Sequence, residues 1–185
     1  MKKIVAGVIG LLPLPLTFIT VANKENVSNV FTASWVGVLC SDPLYIGVGI
    51  DAKSYSHELI EDNGEFTVNV IQEEFLRDAD HVGQLSGRDV DKFEESRITP
   101  QPAKEVKAPI ILEAAISIEC KVQEVLRLGT HDFYVGRALA THVDESVWDG
   151  EKINVEVLRP VMYAADSYWS IGRKLGRVGY VVPET

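Results

Sequence analysis

Ile116-Ser117-Ile118-Glu119-Cys120-Lys121-Val122-Gln123 alternates apolar and polar residues without a break. A period of two sends the apolar set to one face of an extended chain and the polar set to the other. That is the pattern of a half-buried antiparallel strand; a strand buried in a parallel sheet reads as a continuous apolar run. Gly129-Thr130 then turns the chain, and Asp132–Val143 forms a second long extended run beside the first.

Upstream, the same signals recur. Leu14–Val21 reads Leu-Pro-Leu-Thr-Phe-Ile-Thr-Val, a strand that ends at the polar turn Lys24-Glu25-Asn26. A second extended segment runs over Val27–Leu39, small and polar in its middle at Ser28, Asn29, Thr32, Ala33 and Ser34. Asp42-Pro43 marks a turn into a third strand, Leu44–Asp51. Tyr55–Asp62 reads as a short helix closed by Asn63-Gly64 as its C-cap, and Phe66–Ile71 as a fourth strand. Glu73 opens a second helix, in which Phe75, Leu76, Ala79, Val82 and Leu85 fall on one face and Ser86-Gly87 is the stop. Asp89–Glu95 suggests another short turn of helix, before a loop holding Pro100, Pro102 and Pro109. Asp149-Gly150 is a further turn, and Met162–Gly179, rich in aromatics and glycine, reads as irregular. Antiparallel strands with a few short helices predict a mainly β protein, a β-barrel with peripheral α-helices.

Length and composition narrow the function classes. At 185 residues the chain makes one domain, residues 1–185. It is 46% hydrophobic and 24% charged, so it can bury a core without staples. A net charge of −9 repels phosphate backbones and argues against nucleic acid as a partner. It leaves room for a small phosphate ligand in a local basic pocket. Cys40 and Cys120 stand far apart and outside any Cys/His spacing. No metal site is expected, and reduced thiols fit the cytoplasm. Lys2-Lys3 before the apolar run Ile4–Leu16 has the outline of a signal peptide, but Pro13 and Pro15 interrupt it and no small-x-small site closes it. We read the segment as structure leading into a core strand. No other stretch approaches the ~20 apolar residues of a membrane span.

Two constellations carry candidate chemistry. Asn29-Val30-Phe31-Thr32-Ala33-Ser34-Trp35, followed by Cys40-Ser41, offers small side chains that let a flat ligand approach the backbone. Its hydroxyls can pair with a ring bearing several acceptors, and Trp35 can pack beside it. The plain alternative is an edge strand with exposed hydroxyls. Lys53-Ser54-Tyr55-Ser56-His57 joins a strand end to a helix start, where free amides and the helix dipole favour an anion. Here the alternative is that Ser54 is simply a cap. Arg88 to Lys92 adds a third basic spot that is able to complete a phosphate site, unless both are solvated surface charges.

Other motif matches fail on their spacing. Gly47-x-Gly49-x-x-Ala52 fits a dinucleotide fingerprint, but its glycines fall inside a strand and not at the helix start. His57-Glu58-x-x-Glu61 lacks the second histidine of a zinc protease. Gly83-Gln84-Leu85-Ser86-Gly87 has the wrong spacing for a nucleophile elbow. Asp78, Asp80 and His81 are ordinary helix-surface residues by default.

Several segments in order resemble one family. They are Pro13-x-Pro15, Asn29-x-x-Thr32-Ala33-Ser34-Trp35, Ser41-Asp42-Pro43, Ser54-Tyr55-Ser56-His57-Glu58-Leu59-Ile60 and Glu65-Phe66-x-Val68-Asn69. A later Gly129-x-His131-x-x-x-Val135-Gly136 continues the series. Together they resemble the flavin-reductase-like, FMN-binding split-barrel family, most nearly its flavoredoxin-type members. The likeness runs from about Leu12 to Val147, with a tail through Tyr168-Trp169-x-Ile171-Gly172.

The resemblance implies a split β-barrel and a homodimer with FMN near the subunit interface. The tail, about 160–185, would pack on the barrel or on the dimer partner. Thr32, Ala33, Ser34 and Trp35 would lie along the isoalloxazine, with Cys40 and Ser41 at its polar edge. Lys53, Ser54 and Ser56 would hold the phosphate, joined by Lys92. His131 would stand where nicotinamide or the flavin edge comes close, or else face water from its turn. Thr130 stands where the family often has Asp, which weakens that last match. The implied activity is NAD(P)H-dependent reduction of flavin or ferric iron. The alternative is an electron carrier reduced by another protein.

Overall fold

The computed structural model describes residues 1–179. In chain order its elements begin with β1 (Leu14–Pro15), β2 (Thr17–Ala22), β3 (Ser28–Ala33), β4 (Val36–Ser41) and β5 (Leu44–Asp51). There follow α1 (Tyr55–Asn63), β6 (Glu65–Val70), a 3-10 turn at Glu73–Phe75, α2 (Leu76–Gln84), β7 (Pro100–Gln101) and β8 (Ile110–Ile111). The long hairpin is β9 (Ile116–Arg127) and β10 (His131–Val143), and after it come a 3-10 turn at Glu145–Val147, α3 (Val155–Leu158), β11 (Val161–Ala164) and β12 (Ser167–Ser170).

Seven strands form one antiparallel sheet in the order β3-β2-β6-β9-β10-β5-β4. Its two edges, β3 and β4, are separated in the chain by only Ser34 and Trp35. Three Cα steps span at most about 11 Å, so the sheet has to curl until its edges approach. The result is the predicted barrel, left open along a seam at Ser34-Trp35. The single extended segment expected over 27–39 is therefore two strands on opposite edges of the sheet.

β2 is buried along its whole length because it faces two cores. Ile19 and Val21 point into the barrel, where they meet Ile46, Val48, Ile50, Phe66, Cys120 and Tyr134, with Leu59 and Ile60 of α1. Leu16 and Phe18 face the other way and pack with Val30 and Ile71 under Ala79 and Val82 of α2. The helical spacing read from the sequence thus finds Ala79 and Val82 in the buried stripe of α2; Asp78, expected on the helix surface, is instead 6% exposed beside them and paired with Arg97 at 2.6 Å. α1 starts and stops as its sequence predicts. Ser54 accepts a hydrogen bond from the His57 amide at 3.2 Å, and Gly64 takes the left-handed conformation at φ 68° while its amide donates to Ile60 at 2.7 Å. Gly47 and Gly49 lie inside β5, so the dinucleotide fingerprint is absent as reasoned.

Three expectations need correction. The polar face of β9 is solvated only in part: Lys121 and Gln123 are exposed, but Ser117 is 1% exposed and Glu119 0%. The proline-containing loop before β9 lies across that face, and its backbone groups need partners. Thr67 donates to Pro109 O at 2.9 Å, while Asn69 Oδ1 accepts from the Ile111 amide at 3.1 Å and the Ser117 hydroxyl at 2.7 Å. Glu119 accepts the amides of Lys104, Glu105 and Val106 at 2.9, 2.6 and 3.2 Å. Asp89–Glu95 forms turns and no helix. The segment after Met162 is not irregular throughout. β11 and β12 make a tight hairpin whose turn residues, Ala165 and Asp166, both have positive φ, 49° and 56°. Neither residue advertises that conformation as glycine would. β11 also pairs with β1, Val161 is buried in the outer core, and the Tyr168 hydroxyl donates to Asp80 of α2 at 2.7 Å. Positions 180–185 of the expected tail lie outside the described residues. Among the described residues no helix is long and apolar enough to cross a membrane.

Candidate functional site

A cleft of about 480 Å³ opens at the barrel seam, a size within the roughly 300–1,000 Å³ of small-molecule sites. The end of β3 and the seam form one wall, from Phe31 to Trp35. The end of β5 and the turn into α1 form the opposite wall, from Gly49 to Ser56. Ser86, Gly87 and Arg88, after α2, close one end, and His131 at the tip of the β9–β10 hairpin flanks the other.

The aromatic end is built on a close backbone approach. The Gly49 amide donates to Trp35 O at 2.8 Å, and a Cβ at Gly49 would lie 3.3 Å from the Trp35 Cβ. This holds the Trp35 ring beside β5, where it meets the His131 ring at 4.3 Å between centroids. Ala33 and Ser34 keep the wall low beside it. Thr32 behaves differently from the expectation: its hydroxyl donates to Ala79 O of α2 at 2.5 Å, so that proton is committed to the protein.

The other end is cationic and rich in donors. Asp51 Oδ1 accepts the Lys53 amide at 2.8 Å, which shapes the turn into α1. The Tyr55 and Ser56 amides belong to the first helical turn, which leaves its N–H groups without intrahelical partners. Arg88 reaches across from the far wall, donates to Lys53 O at 3.1 Å, pairs with Glu58, and lies 5.8 Å over the Tyr55 ring. Lys92 is 5% exposed, and its Nζ donates to Val82 O at 3.0 Å. Burial pushes its pKa down to about 8. Lys92 is therefore not a solvated surface charge, whereas Arg88 is exposed and held by Glu58 and the Lys53 carbonyl.

The two ends are locked to each other. The Ala52 amide donates to Thr130 O at 3.1 Å, which joins the turn bearing Lys53 to the hairpin tip bearing His131. Behind it, His57 of α1 pairs with the buried Asp132 at 2.7 Å. Arg127 bridges Asp132 and Glu61, and the Tyr134 hydroxyl donates to Glu61 at 2.6 Å. The hydrogen bond from His57, ahead of that from Arg127, holds the Asp132 carboxyl below its usual range.

Nine of the residues expected from sequence thus line one cleft: Thr32, Ala33, Ser34, Trp35, Lys53, Ser54, Ser56, Lys92 and His131. Cys40 and Ser41 do not. They stand at the distal end of β4, exposed and paired with Tyr45 and Leu44, because β4 runs away from the seam after Trp35. The Cys40 Sγ donates to Asp42 O at 3.5 Å. Asn29, Ser86 and Gly87 line the cleft without having been singled out as contacts. For Ser86-Gly87 the helix-stop signal was visible, but nothing in it said that the stop faces a ligand cleft.

Comparison with known proteins matches the flavin reductase like domain to residues 9–172. An uncharacterised protein of Pyrococcus abyssi is 36% identical over 140 residues, 76% of this chain and 80% of that one. Among solved structures, the flavoredoxin of Desulfovibrio vulgaris (Miyazaki F) superposes with a TM-score of 0.87 at 28% identity, covering 96% of this chain and 97% of that one. The flavoredoxin of Methanosarcina acetivorans does so with a TM-score of 0.87 at 29% identity, covering 96% and 94%.

Proposed function

The chain belongs to the flavin reductase-like family, and on that premise we propose that it binds FMN non-covalently in the seam cleft as a redox cofactor. One observation carries the reading: a low wall of small residues ending in an aromatic pair, and a donor-rich cationic turn, stand at opposite ends of a single cleft. Thr32, Ala33, Ser34 and Trp35 would lie along the ring system. Lys53, Ser54, Ser56 and Lys92, with Arg88, would hold the phosphate. The proposed contact set leaves out Cys40 and Ser41. His131 would stand at the edge of the ring, where a reductant approaches.

The cofactor would supply the hydride and electron chemistry, and the protein binds, orients and shields it. No acid–base residue is required of the chain in this reading. As an enzyme it would take hydride from NAD(P)H and pass electrons to free flavin, ferric iron or a protein. The likeness to two flavoredoxins favours a second reading, an electron carrier reduced by a protein partner. A homodimer is part of the proposal. Val38 and Leu39 on β4 and Leu126 and Leu128 on the hairpin are exposed apolar side chains for a second copy to cover.

The test is the visible spectrum of the protein as purified and after FMN addition and desalting. About one retained flavin per chain supports the reading, and a colourless protein overturns it. NADH and NADPH oxidation by the loaded protein then separates the two forms: steady turnover marks the reductase, and its absence the carrier.

A further inference from the structure

Asn29 touches both sides of the cationic end. It sits on β3, 4% exposed, opposite Val21 of β2. Its Nδ2 donates to the Ser56 hydroxyl at 2.8 Å, across to the first turn of α1. Ser56 is itself 2% exposed. That bond uses Ser56 Oγ as an acceptor, and among the described residues its proton meets no acceptor. A hydroxyl that accepts an amide proton still has its own proton to give, and Ser56 lines the cleft. A phosphate is acceptor-only at its ionised oxygens and needs such a donor.

The amide is held from the other side by Gly87. A Cβ there would lie 2.4 Å from Asn29 Oδ1, 2.7 Å from Cγ and 2.9 Å from Nδ2, so the Ser86–Arg88 backbone packs directly on the Asn29 amide. Arg88 in turn holds Lys53 O. One buried amide therefore joins the ring wall, the start of α1 and the closing loop.

Resting on the FMN reading above, we infer that Asn29 is a positioning residue for the phosphate end. It keeps the Ser56 hydroxyl oriented as a donor into the cleft and sets the distance of the 86–88 loop. Its neutrality matters as much as its shape. A carboxylate in the same place would accept the Ser56 proton, withdraw the donor and repel the anion.

The experiment measures FMN and riboflavin binding by flavin fluorescence for the wild type, Asn29→Asp, Ser56→Ala and the double variant. Riboflavin has the ring but no phosphate. Asn29→Asp is expected to weaken FMN at least tenfold, the scale of a charge-assisted hydrogen bond, and to leave riboflavin within about twofold. In the Ser56→Ala background the same substitution costs clearly less, because the hydroxyl it acts through is gone. Equal weakening of FMN and riboflavin, or no weakening, overturns the inference. A wild type that binds no FMN overturns instead the reading beneath it. Gly87→Ala is the second variant should Asn29→Asp not fold: its Cβ displaces the Asn29 amide with no positive φ involved, and it is expected to show the same phosphate-selective loss. Unselective loss there counts against the inference equally.

Discussion

The rings of Trp35 and His131 meet at 4.3 Å between centroids, tilted 55°, across the mouth of the seam cleft. One ring comes from the link between the two sheet edges, and the other from the tip of the β9–β10 hairpin. The pair therefore forms where the barrel opens. It gives a half-exposed tryptophan, already packed on one side against Gly49, a second ring contact.

The first prediction concerns that pair. Aromatic pairs of this kind contribute about 0.5–1.5 kcal/mol beyond burial. His131→Ala should therefore loosen Trp35 and weaken flavin binding by roughly three- to tenfold. The ring end does not sense the phosphate, so FMN and riboflavin should lose affinity alike. Lys53→Ala should show the opposite, a loss confined to FMN. Fluorescence titration with both flavins checks the contrast, and a phosphate-selective effect of His131→Ala would put the ring end in the wrong place.

Lys92 should make the affinity for FMN pH-dependent. Burial lowers its pKa from the ordinary 10.5 to about 8. In the free protein the ammonium is charged below pH 8 and increasingly neutral above it. A phosphate beside it favours the charged form, so FMN binding takes up a proton above pH 8. Affinity for FMN should fall as pH rises from 7 to 9.5, by up to about tenfold, while riboflavin affinity stays level. Lys92→Met should bind FMN less tightly at pH 7 and lose the pH dependence. A wild-type curve that is flat for FMN over this range would remove Lys92 from the phosphate site.

The sequence made the hairpin, helices α1 and α2, the α1 caps and most of the cleft wall legible, but not the single turn of α3. Each of these rests on a local pattern: alternation in 116–123, a helical stripe at Ala79 and Val82, a serine cap and a glycine stop. What it hid depends on distant partners. Ser117 and Glu119 look like solvent positions by alternation, yet a loop folds over them: Glu119 accepts its amides, and Ser117 donates to Asn69, which accepts the Ile111 amide. Ser34-Trp35 looks like the interior of one strand, and only the pairing of β4 with β5 shows it to be the seam. Asn29 reads as one polar residue in a small-residue strand. Its role depends on Ser56 and Gly87, 27 residues away in the case of Ser56.

Gly136 should not tolerate a side chain. It stands on β10 opposite Val122, and a Cβ there would lie 2.5 Å from two ring carbons of Phe66 and 3.0 Å from the Cys120 Cβ. Phe66 is wholly buried in the barrel core and has nowhere to retreat. Overpacking of this kind costs about 1–3 kcal/mol. At roughly 2–4 °C per kcal/mol for a chain of this length, Gly136→Ala should lower the melting temperature by about 2–12 °C. Scanning calorimetry of the flavin-free protein measures it, and Gly136→Ala combined with Phe66→Leu should recover part of the loss.

Glu119 sets an acid limit on the fold. Burial pushes its carboxyl up, but the Lys104 amide, the His142 ring and the Glu105 amide together outweigh that and hold it below the ordinary 4.5. A carboxylate whose folded pKa is depressed contributes stability that is fully present above its unfolded value. That contribution is lost as pH falls below about 4.5 toward the folded value. Glu119→Gln keeps the shape but turns an amide N–H toward donors, so it should cost about 2–3 kcal/mol at pH 7 and release the loop before β9. The variant should also show a shallower fall in stability between pH 5 and 3 than the wild type, because the titrating group is gone. Urea unfolding across that range, with hydrogen exchange at Lys104 to Val106, tests both parts. Protection of those amides equal to wild type in Glu119→Gln would show that the loop is held by Thr67 and Asn69 without the carboxylate.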